Sequence, residues 1–268
     1  MKIFITGTSG FIGNYLNRYL KKYFEIVSFD LRKINNLKTL NESKLLKEIN
    51  SGDIIINCAA SLRPKNKTDF FINSDFPYFL SKYLNDKNLH TKIIHISTVN
   101  TNVEFLKDNY SLSKKRGEEL LKTENVIILK LPLIIQENNN KELIQSGQLS
   151  IFFKYLDLKF LPIYPMIYPG NYFNPIDIGK LSKFILSLIN SEENKGIYNL
   201  SGLNKFSTWQ LFEKIAKKKN KKIIKIKTKL FTKFLPKILT KLVYKYNFLY
   251  NLIGNIDFEK HSENNKLI

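Results

Sequence analysis

The sequence predicts an α/β protein in which a doubly wound parallel sheet is combined with a smaller, interleaved C-terminal lobe. Strand-like and helix-like patterns alternate from the first residue, which is typical of βαβ units. The strand-like runs are short, β-branched and almost continuously apolar, as strands buried on both faces should be. After Pro132 this pattern changes, which indicates the added lobe.

The central sheet is predicted from five apolar runs, with helices between them. The strands are Lys2–Thr6, Phe24–Phe29, Asp53–Asn57, Lys92–Ile96 and Val126–Leu131. The helices are Phe11–Lys22, Asn41–Ile49, Asp69–Leu84 and Tyr110–Lys122, with Thr8 or Ser9 and Asn109 as caps.

Later segments divide between the sheet domain and the lobe. The segment Asn174–Asp177 opens a helix to Ile189, and Gly196–Ser201 is a strand returning to the sheet. The other predicted features are a helix at Glu142–Leu156, a Pro/Tyr/Gly segment at Leu161–Gly170, a helix at Ser207–Lys217, a strand at Ile223–Ile226 and a basic-aromatic stretch at Leu230–Ile253. We therefore assign residues 1–134 and 173–201 to the sheet domain, and residues 135–172 and 202–268 to the lobe.

The composition excludes several classes of protein. At 43% hydrophobic and 13% aromatic residues, the chain is too apolar to be disordered. Cys58 is the single cysteine, so no internal disulfide forms, and no Cys/His spacing indicates a metal. The most apolar stretch, Val126–Ile135, is too short to cross a bilayer, and the N-terminus does not resemble a signal peptide. We expect a cytoplasmic protein.

The net charge of +20 raises two alternatives. A nucleic acid or an anionic membrane would be attracted by such a field. However, lysines are dispersed along the chain and arginine occurs only at positions 18, 32, 63 and 116, whereas phosphate-binding surfaces usually cluster and use arginine. We expect no nucleic acid partner. Residues 227–244 combine lysines with large apolar residues, and we favour cover for the lobe over peripheral membrane contact.

A glycine motif between the first strand and the first helix predicts dinucleotide binding. It reads Gly7, Thr8, Ser9, Gly10, Phe11, Ile12, Gly13. Small residues let the backbone approach a pyrophosphate, which the free N–H groups and the positive end of the helix stabilise. Asp30 follows the second strand, where a carboxylate binds the adenosine ribose and favours NAD. Arg32 could instead neutralise the additional phosphate of NADP, so both cofactors stay open.

The motif spacing, together with the segment Tyr110–Lys114, resembles the extended branch of the short-chain dehydrogenase/reductase superfamily. Six further segments occur in the family's order and resemble its NAD-dependent epimerase/dehydratase group: Asp53–Ala60, Ile96–Thr98, Lys114–Glu118, Leu131–Pro132, Pro175–Ile178 and Tyr198–Leu200. The resemblance implies a Rossmann-type fold, a nucleoside-diphosphate sugar as substrate and a homodimer formed by the helices near 69–84 and 110–122. It also implies that Cys58, Ala59, Ala60, Leu131 and Pro132 lie near the cofactor.

The chemistry is predicted from Tyr110, Lys114 and Thr98. Tyr110 and Lys114 are four residues apart on one helix face, where an ammonium lowers the pKa of a phenol. Tyr110 would then exchange a proton with a sugar hydroxyl while hydride moves between that carbon and the nicotinamide. Thr98 would bind the same oxygen. The resemblance also implies that Lys114 holds the nicotinamide ribose.

Some residues depart from the family pattern. Val99 and Asn100 stand where the family's 4,6-dehydratases have an Asp-Glu pair, which disfavours dehydration. The connection from Thr98 to Tyr110 is short, and the region between the second and fourth family strands is abbreviated, so the third should be short or missing. Arg63 either reaches a substrate or cofactor phosphate or is a solvated loop residue. Asn73 should support the active-site strand, and the three histidines show no pairing.

These observations predict an NAD(P)-dependent enzyme acting at C4 of a nucleotide-linked sugar, as a 4-keto reductase or a C4 epimerase, in the synthesis of surface polysaccharides. The alternative is a non-catalytic Rossmann-fold protein that senses NAD(P) or binds RNA, which the basic charge and the short active-site connection would suit.

Overall fold

The computed structural model describes residues 1–29, 31, 44–122, 124–137, 143–144, 163–227, 256–262 and 265–268. Its strands are β1 (Lys2–Thr6), β2 (Glu25–Phe29), β3 (Ile54–Asn57), β4 (Lys92–Thr98), β5 (Val126–Leu131), β6 (Ile134–Glu137), β7 (Leu143–Ile144), β8 (Tyr164–Tyr168), β9 (Tyr172–Phe173), β10 (Ile176–Asp177), β11 (Gly196–Ser201), β12 (Phe206–Ser207), β13 (Ile223–Lys227) and β14 (Asn265–Leu267). Its α-helices are α1 (Phe11–Leu20), α2 (Lys67–Asn73), α3 (Asp75–Asp86), α4 (Asn109–Leu121), α5 (Ile178–Ile189) and α6 (Thr208–Lys218). Short 3₁₀ helices span Lys44–Glu48, Val99–Asn102 and Phe258–His261.

A seven-stranded parallel sheet forms the centre, in the order β14-β11-β5-β4-β3-β1-β2. This confirms the predicted α/β fold with a doubly wound parallel sheet. Among the described residues, β2 is the edge strand on one side of the sheet. Residues 32–43 lie outside the described part of the chain. Parallel strands end at a common edge, so the residues that follow β1, β3 and β4 meet there.

The two faces of the sheet are covered by different helices. Ile3 and Ile5 of β1 pack in a core with Leu16 of α1 and Leu181 of α5, whereas Phe4 packs on the opposite face. That second core includes buried side chains from α3 and α4: Phe76, Leu80, Leu84 and Leu121. Burying each large apolar side chain contributes roughly 1.5–3 kcal/mol, so both helix layers are fixed to the sheet.

A third core packs β8 and α6 against the segment that follows β4. Tyr164, Trp209 and Phe212 pack there with Val99 and Val103, which follow the end of β4. β8 pairs in parallel with β13, and β9 pairs with β12. None of the helices within the described ranges is both long and apolar enough to cross a membrane.

Several predicted elements require correction. Asp69–Leu84 is two helices, α2 and α3, which meet at Ser74. Pro77 explains the break, because it has no N–H to donate to residue 73 and its ring disfavours continuation from the preceding turn. Leu143–Ile144 is a strand paired with β6 rather than part of a helix, and the rest of the predicted helix Glu142–Leu156 lies outside the described residues.

The C-terminal strand and two caps also differ from prediction. β14, assigned to the lobe, pairs in parallel with β11 in the large sheet. Gly10, rather than Thr8 or Ser9, is the N-cap of α1, and Asp108, rather than Asn109, is the N-cap of α4. The predicted basic-aromatic stretch Leu230–Ile253 lies outside the described residues.

Candidate active site

The glycine loop after β1 is folded tightly against the end of β3. Gly7 has φ +67°, a left-handed conformation that side chains rarely adopt. A Cβ built on Gly7 would lie 2.8 Å from both the Cα and the N of Ala59. Only glycine therefore lets the two strand ends approach this closely.

The first turn of α1 presents free backbone N–H groups at the same edge. Its N-cap, Gly10, offers no side chain to bind them, and the first turn contains no acidic residue. A Cβ on Gly13 would lie 2.3 Å from the Gly7 oxygen, so the helix packs directly on the loop. Uncapped N–H groups and the positive end of the helix dipole together suit a phosphate.

A cavity of about 410 Å³ lies beside this loop. It unites four of the predicted motif residues with the segment after β3, the end of β2 and α2. The lining residues are Gly7, Thr8, Ser9, Gly10, Ser28, Phe29, Leu31, Cys58, Ala59, Ala60, Ser61 and Ile72. Phe11, Ile12 and Gly13 belong to α1 behind the loop and are not part of this lining. Asp30 and Arg32 lie outside the described residues.

Sequence reasoning missed five of these lining residues: Ser28, Phe29, Leu31, Ser61 and Ile72. Ser28, Phe29 and Leu31 are sequence neighbours of Asp30, the predicted ribose-binding residue, and this proximity could have indicated that they line the cavity. Ser61 and Ile72 come from a loop and from α2, which only the fold brings to the cavity.

A buried polar network underlies the cavity floor. Thr6 donates to Asn57 at 2.6 Å and accepts from the Ala59 N–H at 3.1 Å. Asn57 Nδ2 lies 3.0 Å from His95 Nδ1, while His95 Nε2 is buried without a hydrogen-bond partner. Burial and the positive charge of Lys114 hold the pKa of His95 well below its ordinary value, so the ring is neutral. This network fixes the loop that begins at Cys58.

Tyr110 lies in the first turn of α4, whose start is fixed by Asp108. The Asp108 carboxylate accepts from the Tyr110 and Ser111 N–H groups, each at 3.1 Å. Ser113 donates to the Tyr110 carbonyl at 2.9 Å and accepts from Asn73 Nδ2 at 2.9 Å. Asn73 also exchanges two hydrogen bonds of 2.8 Å with Ser61. Asn73 therefore joins the loop after β3, which forms the cavity rim, to α4.

Lys114 points into the protein toward β4. Its side chain is almost fully buried, and Nζ donates to the Ile96 carbonyl at 2.8 Å. Burial lowers its pKa to about 8, against the opposing influence of Glu118 and Cys58.

The expected lowering of the Tyr110 pKa is wrong for this arrangement. The pKa of Tyr110 is raised, because the phenol is desolvated and the carboxylates of Asp108 and Glu118 disfavour a phenolate. At neutral pH Tyr110 is therefore a protonated acid.

Thr98 ends β4 in the same region and is 8% exposed. Its hydroxyl accepts from the Asn100 N–H at 3.3 Å. The predicted short connection is present: the 3₁₀ helix Val99–Asn102 and a brief loop link Thr98 to α4.

The other predicted site residues have varied positions. Cys58 lines the cavity, and burial raises the pKa of its thiol to about 12 despite Lys114, so the thiol is neutral. Arg63 is exposed on the loop before α2. Leu131 is buried at the end of β5 and Pro132 follows it; neither is part of the cavity lining. Within the described ranges, no group of three or more His, Cys, Asp or Glu side chains is placed to hold a metal ion.

Comparison with known proteins finds similarity over the N-terminal part of the chain. Residues 3–104 match the model of the NAD dependent epimerase/dehydratase family. UDP-2-acetamido-2,6-beta-L-arabino-hexul-4-ose reductase from Pseudomonas aeruginosa is 30% identical over 125 residues, which are 45% of this chain. The matched segment spans only 31% of that relative's length.

Two solved structures share the fold over most of the chain. dTDP-4-dehydrorhamnose reductase from Bacillus anthracis, in complex with NADP, has a TM-score of 0.64 and 19% identity, covering 84% of this chain and 83% of that one. UDP-glucuronic acid 4-epimerase from Bacillus cereus, in complex with NAD, has a TM-score of 0.61 and 18% identity, covering 97% and 96%. At 19% and 18% identity, the similarity to these two structures shows a shared fold and no more.

The glycine loop, the parallel sheet and the family match agree with one another over the N-terminal half. The match to the NAD dependent epimerase/dehydratase family is confined to residues 3–104, the segment that carries the glycine loop and strands β1 to β4.

Proposed function

We propose that this chain is an NAD(P)-dependent oxidoreductase that transfers hydride at C4 of a nucleoside-diphosphate sugar, with reduction of a 4-keto sugar as its favoured reaction. One observation carries the proposal: the buried Lys114 holds α4, the helix that bears Tyr110, to Ile96 near the end of β4, where Thr98 lies, at the edge of the sheet that bears the glycine-loop cavity.

The cavity would hold the adenosine and pyrophosphate half of a dinucleotide, whereas Thr98, Tyr110 and Lys114 are not part of its lining. Its lining includes the loop from Gly7 to Gly10, where an added Cβ on Gly7 would collide with backbone and where the first turn of α1 is uncapped. These backbone groups would hold the pyrophosphate. The end of β2 would receive the adenosine, and Asp30 and Arg32 would set the choice between NAD and NADP. When bound, the nicotinamide supplies or accepts hydride.

The protein's own residues would manage the proton. Tyr110 Oη donates to the C4 oxygen as that carbon is reduced, and a phenol that stays protonated at neutral pH is suited to this role. Thr98 Oγ1 would hydrogen-bond the same oxygen and orient it. Lys114 would hold the ribose next to the nicotinamide and place a positive charge near the phenolate that forms.

The names of the relatives support a nucleoside-diphosphate sugar as the substrate and C4 as the reacting carbon. The curated relative is named as the reductase of a hexul-4-ose, and one matched structure is a 4-dehydrorhamnose reductase. Another is a 4-epimerase, for which C4 would be oxidised and reduced again. We favour reduction because both of the first two relatives are named as reductases of a 4-keto sugar. The product would be a building block for surface polysaccharide.

A substrate panel tests the proposal. Purified protein is incubated with UDP- and dTDP-linked 4-keto-6-deoxy sugars and with NADH or NADPH, and oxidation of the cofactor is followed at 340 nm. We expect stoichiometric oxidation with at least one sugar and a loss of about 10²–10⁴-fold in turnover for Tyr110→Phe. A C4 epimer formed without net cofactor oxidation would instead establish an epimerase. No turnover of any C4 sugar, or a fully active Tyr110→Phe, would refute the proposal.

A further inference from the structure

Glu118 has a buried carboxylate with three partners on three different elements. Ser97 of β4 donates to Oε1, and the Thr101 hydroxyl lies 2.9 Å from the same oxygen. Lys130 Nζ of β5 forms an ion pair with Oε2 at 2.8 Å. The side chains of Glu118 and Lys130 are only 7% and 13% exposed. A buried ion pair needs such a complete set of partners to offset desolvation.

These contacts hold consecutive residues at the end of β4. Lys114 binds the Ile96 carbonyl, and Glu118, one helical turn later on α4, binds the Ser97 hydroxyl. The Thr98 carbonyl accepts from the Thr101 hydroxyl at 2.8 Å, which also meets Glu118. The strand end that bears Thr98 is thereby fixed to the helix that bears Tyr110 and Lys114.

Lys130 extends the same network across the sheet. Its Nζ also donates to Asn102 Oδ1 at 2.7 Å. Asn102 Nδ2 in turn lies 2.9 Å from both Asn199 Oδ1 of β11 and Ser262 Oγ. Through Lys130 and Asn102, the carboxylate of Glu118 is therefore connected to β11 of the large sheet and to Ser262.

We propose that Glu118 is a positioning residue of the site: it sets the register between the strand end at Thr98 and the helix face of Tyr110 and Lys114. This inference rests on the proposed function. It also assigns Lys130 as the counter-ion that keeps Glu118 charged inside the protein.

The position of this charge predicts an effect that packing alone would not produce. Glu118 raises the pKa of both Tyr110 and Lys114. The charged or titratable groups around these two are Glu118 and Asp108 on or next to α4, Cys58 after β3, and His95 on β4, with Lys130 behind Glu118. Cys58 and His95 are neutral at pH 7, so Glu118 is the buried anion shared by both catalytic side chains.

The test compares Glu118→Gln with Glu119→Gln, which removes one negative charge from the exposed side of the same helix. For Glu118→Gln we expect kcat to fall by about 10–100-fold with KM within about twofold, since supporting partners of a site act on this scale. The alkaline limb of the kcat profile should move to lower pH, because loss of the anion lowers the pKa of both Lys114 and Tyr110. Glu119→Gln should match wild type in both respects.

A second variant separates position from charge. Thr101→Val keeps the Glu118 carboxylate but removes the bridge to the Thr98 carbonyl, so we expect a lower kcat and an unmoved alkaline limb. If Glu118→Gln does not fold, Thr101→Val still tests the positioning role. An NMR titration of ¹³C-lysine-labelled protein, with Lys114 assigned by Lys114→Arg, gives a readout that is independent of turnover: its pKa should fall in Glu118→Gln and not in Glu119→Gln.

The outcomes distinguish this inference from the proposed function. If Tyr110→Phe abolishes turnover while Glu118→Gln and Thr101→Val keep wild-type kcat and pH profile, the positioning role is refuted and the function stands. If Tyr110→Phe is fully active, the proposed function itself fails. A folded Glu118→Gln with a reduced kcat but an unshifted Lys114 pKa would overturn the electrostatic part of the inference.

Discussion

Replacing Gly7 with alanine should separate two costs that the glycine loop avoids. One is backbone strain, since Gly7 has φ +67°. The other is a collision, since the new Cβ would lie 2.8 Å from backbone atoms of Ala59, which cannot rotate away. Gly52 provides the matched control: it has φ +86°, but nothing lies within 4 Å of an added Cβ.

The magnitudes follow from these two positions. A left-handed alanine costs about 1–2 kcal/mol, which is the whole effect expected for Gly52→Ala. Overpacking against fixed backbone adds about 1–3 kcal/mol, so Gly7→Ala should lose roughly 2–5 kcal/mol. At about 2–4 °C per kcal/mol, the melting temperature should fall by about 2–8 °C for Gly52→Ala and by about 4–20 °C for Gly7→Ala.

Differential scanning fluorimetry, with and without NADPH, measures both effects. NADPH should raise the melting temperature of wild type and of Gly52→Ala, because a ligand that binds only the folded state stabilises it. It should raise that of Gly7→Ala much less, since Gly7 lines the cavity. Equal melting temperatures for the two variants, with equal stabilisation by NADPH, would refute the close-packing explanation.

Three further predictions follow from buried groups. His95 has a lowered pKa, so below about pH 6.5 the unfolded chain binds a proton that the folded chain does not. The free energy of unfolding should therefore fall by up to about 1.4 kcal/mol per pH unit toward pH 5. In melting curves, His95→Gln should make stability less dependent on pH in this range. Cys58, whose thiol pKa burial raises to about 12, should react with iodoacetamide at pH 8 more slowly in native than in denatured protein, as followed by mass spectrometry; equal rates would show an accessible thiolate. Asn73→Ala leaves Ser61 and Ser113 without their shared partner and should lower the free energy of unfolding in urea by about 2–4 kcal/mol. The control Asn85→Ala, at the exposed end of α3, should lower it by under about 1 kcal/mol.

The sheet was predictable because its signal is local. β1 and β5 begin and end at the predicted residues, since continuous β-branched runs bounded by turns leave few alternatives. β14 was not predicted, because Asn265–Leu267 is short and polar and gains its structure by pairing with β11. The break at Ser74 carried a signal, Pro77, but the apolar periodicity on both sides favoured one helix.

The helix that carries Tyr110 and Lys114 was predictable, but the surroundings of these two side chains were not. The spacing of Tyr110 and Lys114 correctly predicts one helix, yet it cannot show that the ammonium turns to the Ile96 carbonyl. Nor can it show that Asp108 caps the helix beside Tyr110, or that the Glu118 carboxylate is buried next to both. These are three-dimensional facts, and together they reverse the expected direction of the Tyr110 pKa.

The most direct test of the account follows the hydride itself. The protein is given a nucleoside-diphosphate 4-keto sugar with NADPH deuterated at C4 of the nicotinamide, on either face in parallel reactions, and the product is analysed by NMR and mass spectrometry. The account predicts one deuterium at C4 of the sugar from one of the two cofactors, and its loss in Tyr110→Phe. Deuterium at another carbon, or a sugar converted with no deuterium from either cofactor, would contradict it.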